Sequence, residues 1–572
     1  MALNNTILIS TLSLFMSCSA VADRPIEAAD TVLTNGNIYT INSARSWAEA
    51  VAITDGRIVY VGSNAGADAY RSDASKYVDL NGRMVLPSFQ DVHIHPISGG
   101  VNYTACPLFE TTSIEEVQVA VAACATGQPE LEVIRGSGWS WSIFGEQERP
   151  EKKHLDAIEP SRPIVISDVD GHTLWLNSAA LALAGIDSTT KNPQGGEIGR
   201  IAGSMEPNGT LLEGPAWDLI NKKLSPISDE ERLAGLLYAQ KYLNSLGITA
   251  IQDAYVRLNG TEPDKSLPIY KALQASGELN LRVSAALYWD PAGGMEQIEA
   301  MRDARREYSN GRIQANTVKI WADGILESYT AKMLEPYSDK PEDDGLLMVP
   351  RKRIMAAVPL LDKAGFQVHI HAIGDATVRY ALDAFEEAQK INGRRDSRHL
   401  TAHTQVVNPS DLGRFALLDV IAGFTPYWTY ADSYISDINP PQLGEERMQQ
   451  MYPIRSILDS GGRVAFGSDW SVSTADPLLG IEAAVTHINP EGAPTPVFIP
   501  SERITLEQAI AGYTIDVAYA NFLEDDTGSI EVGKFADLVV LSDNLFDLAP
   551  ADISEVTVVA TLIEGEIVYG DL

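Results

Sequence analysis

The chain has 572 residues, 45% of them hydrophobic, with 77 acidic against 43 basic side chains and a formal net charge of −34. That length and apolar fraction are enough to bury a large core and to form more than one domain. The charge argues against nucleic acid or an anionic membrane as partner, because a surface that grips phosphates needs a basic patch; it describes a soluble, self-repelling surface.

Residues 7–16 form a largely apolar run followed by small residues, too short to span a bilayer and placed as a secretory signal is. Ala20-Val21-Ala22 offers an A-x-A cleavage site, so residues 1–22 are expected to be a signal peptide. The mature chain is then periplasmic or secreted, with no transmembrane segment. The n-region Met1-Ala2-Leu3-Asn4-Asn5 lacks the usual Lys or Arg, and Cys18 offers a lipid anchor as the second reading, although only Ser17 before it fits a lipobox. A cytoplasmic protein is the third. Cleavage leaves Cys106 and Cys124, which either pair, as cysteines of exported chains do, or stay as buried thiols.

From residue 31 to 86, short β segments alternate with Gly and Asp turns, and the stretch from 528 to 571 has the same texture. The two ends, 28–86 and 526–572, are expected to fold together as a small β-sandwich flanking a domain at 87–525. That domain opens with the apolar run Met84-Val85-Leu86-Pro87 leading to His93-Ile94-His95. In a strand, residues two apart face the same way, so both imidazoles reach one metal ion while Ile94 points into the opposite layer.

A long insertion, about 100–245, precedes the next convincing strand, 247–253; such excursions shape substrate pockets. It carries Trp139 and Trp141 in Gly136-Ser137-Gly138-Trp139-Ser140-Trp141, and Asp170-Gly171-His172-Thr173-Leu174-Trp175. His172, in a glycine-bearing loop, is expected in the pocket. Asp170, Trp139 and Trp175 are pocket candidates too, although large aromatics more often pack in a core. Further along, 366–372 presents His371, with His369 on the same face; 400–405 presents His403; 464–469 presents Asp469. Helix-period stretches lie between them, at 376–389 and 409–418. Strands alternating with helices predict a parallel sheet closed as a (β/α)8 barrel, which gathers strand C-termini and their ligands at one face. Tyr427 and Trp428, in the loop 424–430, are expected to line the pocket and favour an apolar or aromatic substrate.

The His-x-His after a Pro-x-Phe turn, Val318-Lys319-Ile320-Trp321-Ala322-Asp323-Gly324, His371-Ala372-Ile373-Gly374-Asp375, Ala465-Phe466-Gly467-Ser468-Asp469 and the tail from Gly528 through Leu541 resemble the amidohydrolase superfamily. Within it they resemble the branch containing N-substituted formamide deformylase. The resemblance runs from about residue 31 to 570. It implies a metal site made of His93, His95, Lys319, His371, His403 and Asp469, with one or two divalent ions. Zn2+ suits these donors best, with Mn2+, Fe2+ and Co2+ open. Lysine is a poor ligand as an ammonium; the resemblance implies that Lys319 is N6-carboxylated, its carbamate bridging two ions. The alternative is an ion pair between Lys319 and Asp323. Asp91 is expected beside the ligands, and Asp375 as a helix cap.

The implied chemistry is hydrolysis of a non-peptide carbon–nitrogen bond in a small amide, formamide or cyclic amide. Asp469 takes the proton of the attacking water, and His172 and His403 stabilise the oxyanion. Ester or lactone hydrolysis and deamination use the same site, and a catalytically silent exported binding protein is the rival of another class. Where many relatives carry Ile-Glu-His-Ala-Gln, this chain has Thr401-Ala402-His403-Thr404-Gln405, so the surroundings of that ligand, and the substrate, differ. A homo-oligomer is left open.

Overall fold

Eight short runs of alternating or wholly apolar residues form one parallel sheet in a computed structural model that describes residues 27–144, 149–169, 171–193, 196–258 and 265–572. The expected signal at 1–22 and the pocket candidate Asp170 lie outside the described residues. The strands are β1 (Phe89–Ile94), β2 (Ile248–Val256), β3 (Arg282–Tyr288), β4 (Ile313–Trp321), β5 (Gln367–Ala372), β6 (Leu400–His403), β7 (Ile421–Phe424) and β8 (Arg463–Phe466). They neighbour one another in chain order. The ends of the sheet meet where Asp91 Oδ2 accepts from Ser468 N (3.0 Å) and His93 O accepts from Asp469 N (2.8 Å), so β1 and β8 nearly close a TIM-like barrel.

The outward side chains of the strands meet amphipathic helices. α1 (Pro96–Thr104) begins directly after His95, with Pro96 at its first position, where a missing N–H costs nothing. α2 (Gly214–Asn221) leaves the insertion, and α3 (Asp229–Ser245) starts at a capping box made by Ser228 and Glu231. α1 and α3 touch backbone to backbone: a Cβ on Gly100 would lie 1.9 Å from Gly235 O.

Both chain ends fold together. A four-stranded sheet (57–62, 50–54, 31–34, 76–79) faces a six-stranded one (566–570, 558–563, 538–541, 84–87, 37–39, 47–48), in which Leu538–Leu541 runs antiparallel to Met84–Pro87. Leu33, Ile53, Val85, Leu538 and Leu562 fill the space between them. Arg282, at the start of β3, pairs with Asp537 (2.7 Å) and Glu564 (2.9 Å), fastening this sandwich at the N-terminal end of a barrel strand.

The insertion has its own five-stranded sheet, ordered 197–200, 207–212, 173–176, 164–168, 134–139, and its own apolar clusters. Two pocket candidates are corrected here. Trp139 and Trp175 are fully buried in the insertion core, 5.5 Å apart, with their indole N–H groups donated to Ile166 O and Glu151 O. Alternation within their strands turns them inward, so they are core residues. Cys106 and Cys124 are joined as a disulfide in the same cluster.

Candidate metal centre

The donors converge at the C-terminal ends of the barrel strands. His93 is on β1 and His95 one residue past it; the intervening Ile94 enters the large apolar cluster between barrel and helices. Lys319 is on β4, His371 on β5 and His403 ends β6. Asp469 lies three residues beyond β8 rather than at its end. His403 (φ 68°) and Asp469 (φ 56°) both occupy the left-handed region, where each main chain turns sharply as it leaves its strand. Such backbone in non-glycine residues clusters at functional sites.

His95 Nε2 lies 3.1 Å and His93 Nε2 3.5 Å from Asp469 Oδ1, and His403 Nδ1 is 3.9 Å from Asp469 Oδ2. Donor atoms of His93, His403 and Asp469 all fall within 4.8 Å of one another. Lys319 Nζ is 3.3 Å from His93 Nε2, and the rings of His371 and His403 are 4.5 Å apart. The alternative reading, an ion pair between Lys319 and Asp323, does not appear among the ion pairs of the described residues. Asp323 instead accepts from Ile373 N, Gly374 N, Lys332 N and Thr377 Oγ1, tying β4 to the loop after β5.

His369 is a supporting residue, and the sequence did not reveal its task. Gln252 Nε2 donates to Asn521 Oδ1 (2.7 Å), which leaves Gln252 Oε1 to accept from His369 Nδ1. His369 Nε2 then accepts from His93 Nδ1 (2.9 Å), so the lone pair of His93 Nε2 is turned toward Lys319 and Asp469. Both His369 nitrogens are engaged. Gln252 went unnoticed because an amide on a strand carries no motif; its inward position on β2 was the available signal. His371 donates from Nε2 to Gly324 O (3.3 Å), which keeps Nδ1 as its acceptor. Asp91 accepts from His93 N (2.8 Å) and Ser468 N, bracing the two ends of the barrel. Asp375 lies in the first turn of its helix, after the N-cap Gly374, and accepts from Leu334 N (2.8 Å).

Burial sets the charges. It pulls the Lys319 amine down to about 7, against the opposing pull of Asp469, so a large neutral fraction exists near neutral pH. His93, His369, His371 and His403 are held well below the ordinary imidazole range, first by burial and then by neighbouring cations. These rings are neutral lone-pair donors. Two buried atoms, His403 Nδ1 and Asp469 Oδ1, make no hydrogen bond among the described residues. Leaving such atoms unmatched is costly, and a divalent cation between imidazoles and a carboxylate is what this donor set fits.

Trp428 stacks on the His403 ring (5.6 Å, 17°). Tyr427 is held by its hydroxyl on Glu491 and packs edge-on against Tyr430. Tyr255 comes within 6.4 Å of the His95 ring, and Trp321 within 5.9 Å of His371. His172 reaches in from the insertion, its ring 6.4 Å from Trp321 and its Nδ1 3.2 Å from a carboxylate oxygen of Glu213. Sequence reading missed Glu213, which follows Leu211-Leu212 and precedes Gly214-Pro215 as an ordinary turn residue would.

A TIM-like barrel with imidazoles, a carboxylate and a buried lysine at its C-terminal face defines a metal-dependent hydrolase. Comparison gives the family. Residues 76–569 match the model described as the amidohydrolase family. The chain is 33% identical to "Protein LONG AFTER FAR-RED 3" of Arabidopsis thaliana, across 95% of this chain and 92% of that one. It is 27% identical to the N-substituted formamide deformylase of Arthrobacter pascens, across 94% and 98%. Among solved structures, an uncharacterized metal-dependent hydrolase from Pyrococcus furiosus superposes with a TM-score of 0.70 at 26% identity, covering 90% of this chain and 99% of that one. The chain belongs to the amidohydrolase family and is a hydrolase.

Proposed function

We propose that the protein hydrolyses a non-peptide carbon–nitrogen bond of a small amide, formamide or cyclic amide. The observation that carries this is the pair of unmatched buried atoms, Asp469 Oδ1 and His403 Nδ1, in a ring of neutral imidazoles at the barrel mouth. The similarity to an N-substituted formamide deformylase along nearly the whole chain supports the bond type. His93, His95, His371, His403 and Asp469 would hold one or two divalent ions, Zn2+ by preference, and a carboxylated Lys319 would add a further oxygen donor. Such an ion lowers the pKa of bound water toward about 7 and polarises a carbonyl.

The chain's own groups do the rest. Asp469 accepts the proton of the attacking water and passes it to the leaving nitrogen. His172 and His403 face the carbonyl oxygen as negative charge builds on it. Trp428, Trp321 and Tyr255 wall the pocket with aromatic faces and favour an apolar acyl or amine group. The test is elemental analysis followed by a screen of N-formyl and N-acyl amines, with esters and lactones alongside. About one to two divalent ions per chain and chelator-sensitive amide cleavage are expected. Metal near zero with unaffected turnover overturns the reading.

The protein is further proposed to be exported, cleaved after Ala22. The apolar run at 7–16 and the Cys106–Cys124 bond support this, since disulfides persist in oxidising compartments. N-terminal sequencing of protein recovered from the native source checks it. A mature chain starting at Asp23 is expected, and an intact Met1 overturns it.

A further inference from the structure

His172 and Glu213 are the next pair in a β-ladder. Thr173 pairs with Leu212 in the insertion sheet, and one residue outward Glu213 N donates to His172 O (2.9 Å). The histidine is pinned on its other side by Asp168, whose Oδ1 accepts from both His172 N and Thr173 N at 2.9 Å. Glu213 is pinned as well: its carbonyl accepts from Ala216 N and Trp217 N, opening α2. Both backbones are fixed before any side chain is placed.

The main chain of Glu213 is at φ 66°, ψ 156°, a conformation that is essentially restricted to glycine. Glycine neighbours it at 214, yet a glutamate holds the strained position. Its two carboxylate oxygens lie 3.3 and 3.2 Å from His172 Nδ1, and both side chains are largely buried. The ring they aim stands edge-on to Trp321, two residues beyond Lys319 on the same strand.

We infer that Glu213 is a positioning residue for the reaction: its carboxylate takes the His172 Nδ1–H and fixes the ring so that Nε2–H is offered to the carbonyl oxygen of the scissile amide. This rests on the amide-hydrolase reading and deepens it. A carboxylate behind the ring compensates the imidazolium charge needed for both nitrogens to donate, and removes the ring's freedom to flip. Placing the pair on the insertion sheet rather than the barrel ties the electrophile to the domain that shapes the pocket.

The experiment compares Glu213→Gln, Glu213→Asp and Glu213→Gly with His172→Asn, alone and combined, in metal-loaded enzyme on an N-acyl amine that the wild type cleaves. Glu213→Gln is expected to lower kcat by about 10- to 100-fold, with metal content and KM nearly unchanged, and Glu213→Asp to recover part of the loss. In the His172→Asn background, Glu213→Gln should cost nothing more. Glu213→Gly fits the backbone and should keep the melting temperature while losing kcat, which a merely structural role does not allow. Wild-type kcat in Glu213→Gln, or additive losses in the double variant, overturns the inference. A second readout needs no substrate: in [15N]histidine-labelled metal-free protein, the His172 Nδ1–H resonance, assigned by its loss in His172→Asn, should lose its carboxylate-bonded shift in Glu213→Gln. An unchanged resonance overturns the dyad. Failure of the wild type on every amide, with the resonance responding as expected, refutes the substrate reading and leaves the pair standing.

Discussion

Asp469 pays for its position with backbone strain of about 1–3 kcal/mol, at φ 56° and just outside β8. The strained turn holds both carboxylate oxygens against His93, His95 and His403. Asp469→Asn keeps the volume and one liganding oxygen but cannot take a proton. It is expected to retain most of its metal while kcat falls by about 10² to 10⁴, read by elemental analysis and steady-state kinetics. Near-normal turnover would make Asp469 a turn residue only. Lys319 is tested differently, because its amine, drawn down to about 7 by burial, is the group on which the proposed carbamate would form. Lys319→Ala should lose metal and activity together, and a short carboxylic acid in the medium should restore part of both. A variant with full metal occupancy and full rate would reduce Lys319 to a structural role.

Among the elements, the contact between α1 and α3 bears most directly on the site, since α1 starts at the residue after His95. A methyl group on Gly100 would meet Gly235 O at 1.9 Å, and one on Gly235 would meet Val101 N at 2.7 Å. Both obstacles are backbone, which has no flexible end to move aside. Gly100→Ala is therefore expected to cost about 1–3 kcal/mol and to weaken metal binding by shifting His95, measurable by calorimetry and by metal titration. Unchanged melting with unchanged affinity would show that the helices separate without cost.

For the whole molecule, a half-buried carboxyl makes stability depend on pH. Asp476, between the Asp469 turn and helix Pro477–Thr486, accepts from Leu478 N, and burial raises it from 3.8 to about 6. Because its folded pKa is raised, the native state keeps a proton that the unfolded chain releases. Its contribution is complete below the unfolded value and is lost as pH climbs through about 6. Asp476→Asn cannot ionise and preserves the acceptor. The melting temperature of the variant relative to wild type should therefore rise between pH 4 and 7 and level off above, as followed by calorimetry across that range. A difference independent of pH would place the carboxyl in contact with solvent.

Local sequence decided what depends on a period of two: His93 and His95 two residues apart at the end of one strand, His371 on another, and the β-rich ends that join as one sandwich. It also singled out the aromatic loop 424–430, whose Trp428 the structure stacks on His403. Tertiary structure alone decided the rest, because those facts are contacts between segments far apart in the chain. Gln252 meets His369 across 117 residues and Glu213 meets His172 across 41, and neither pair leaves a pattern in either segment alone. Whether Trp139 and Trp175 lined a pocket or filled a core depended on which face of the insertion sheet was covered, and Cys106 and Cys124 needed their Cα atoms brought to 5.8 Å. Strand periodicity is written in neighbouring residues, whereas burial, partner choice and the resulting charge of a side chain are set by which distant strands the barrel and the insertion bring to its side.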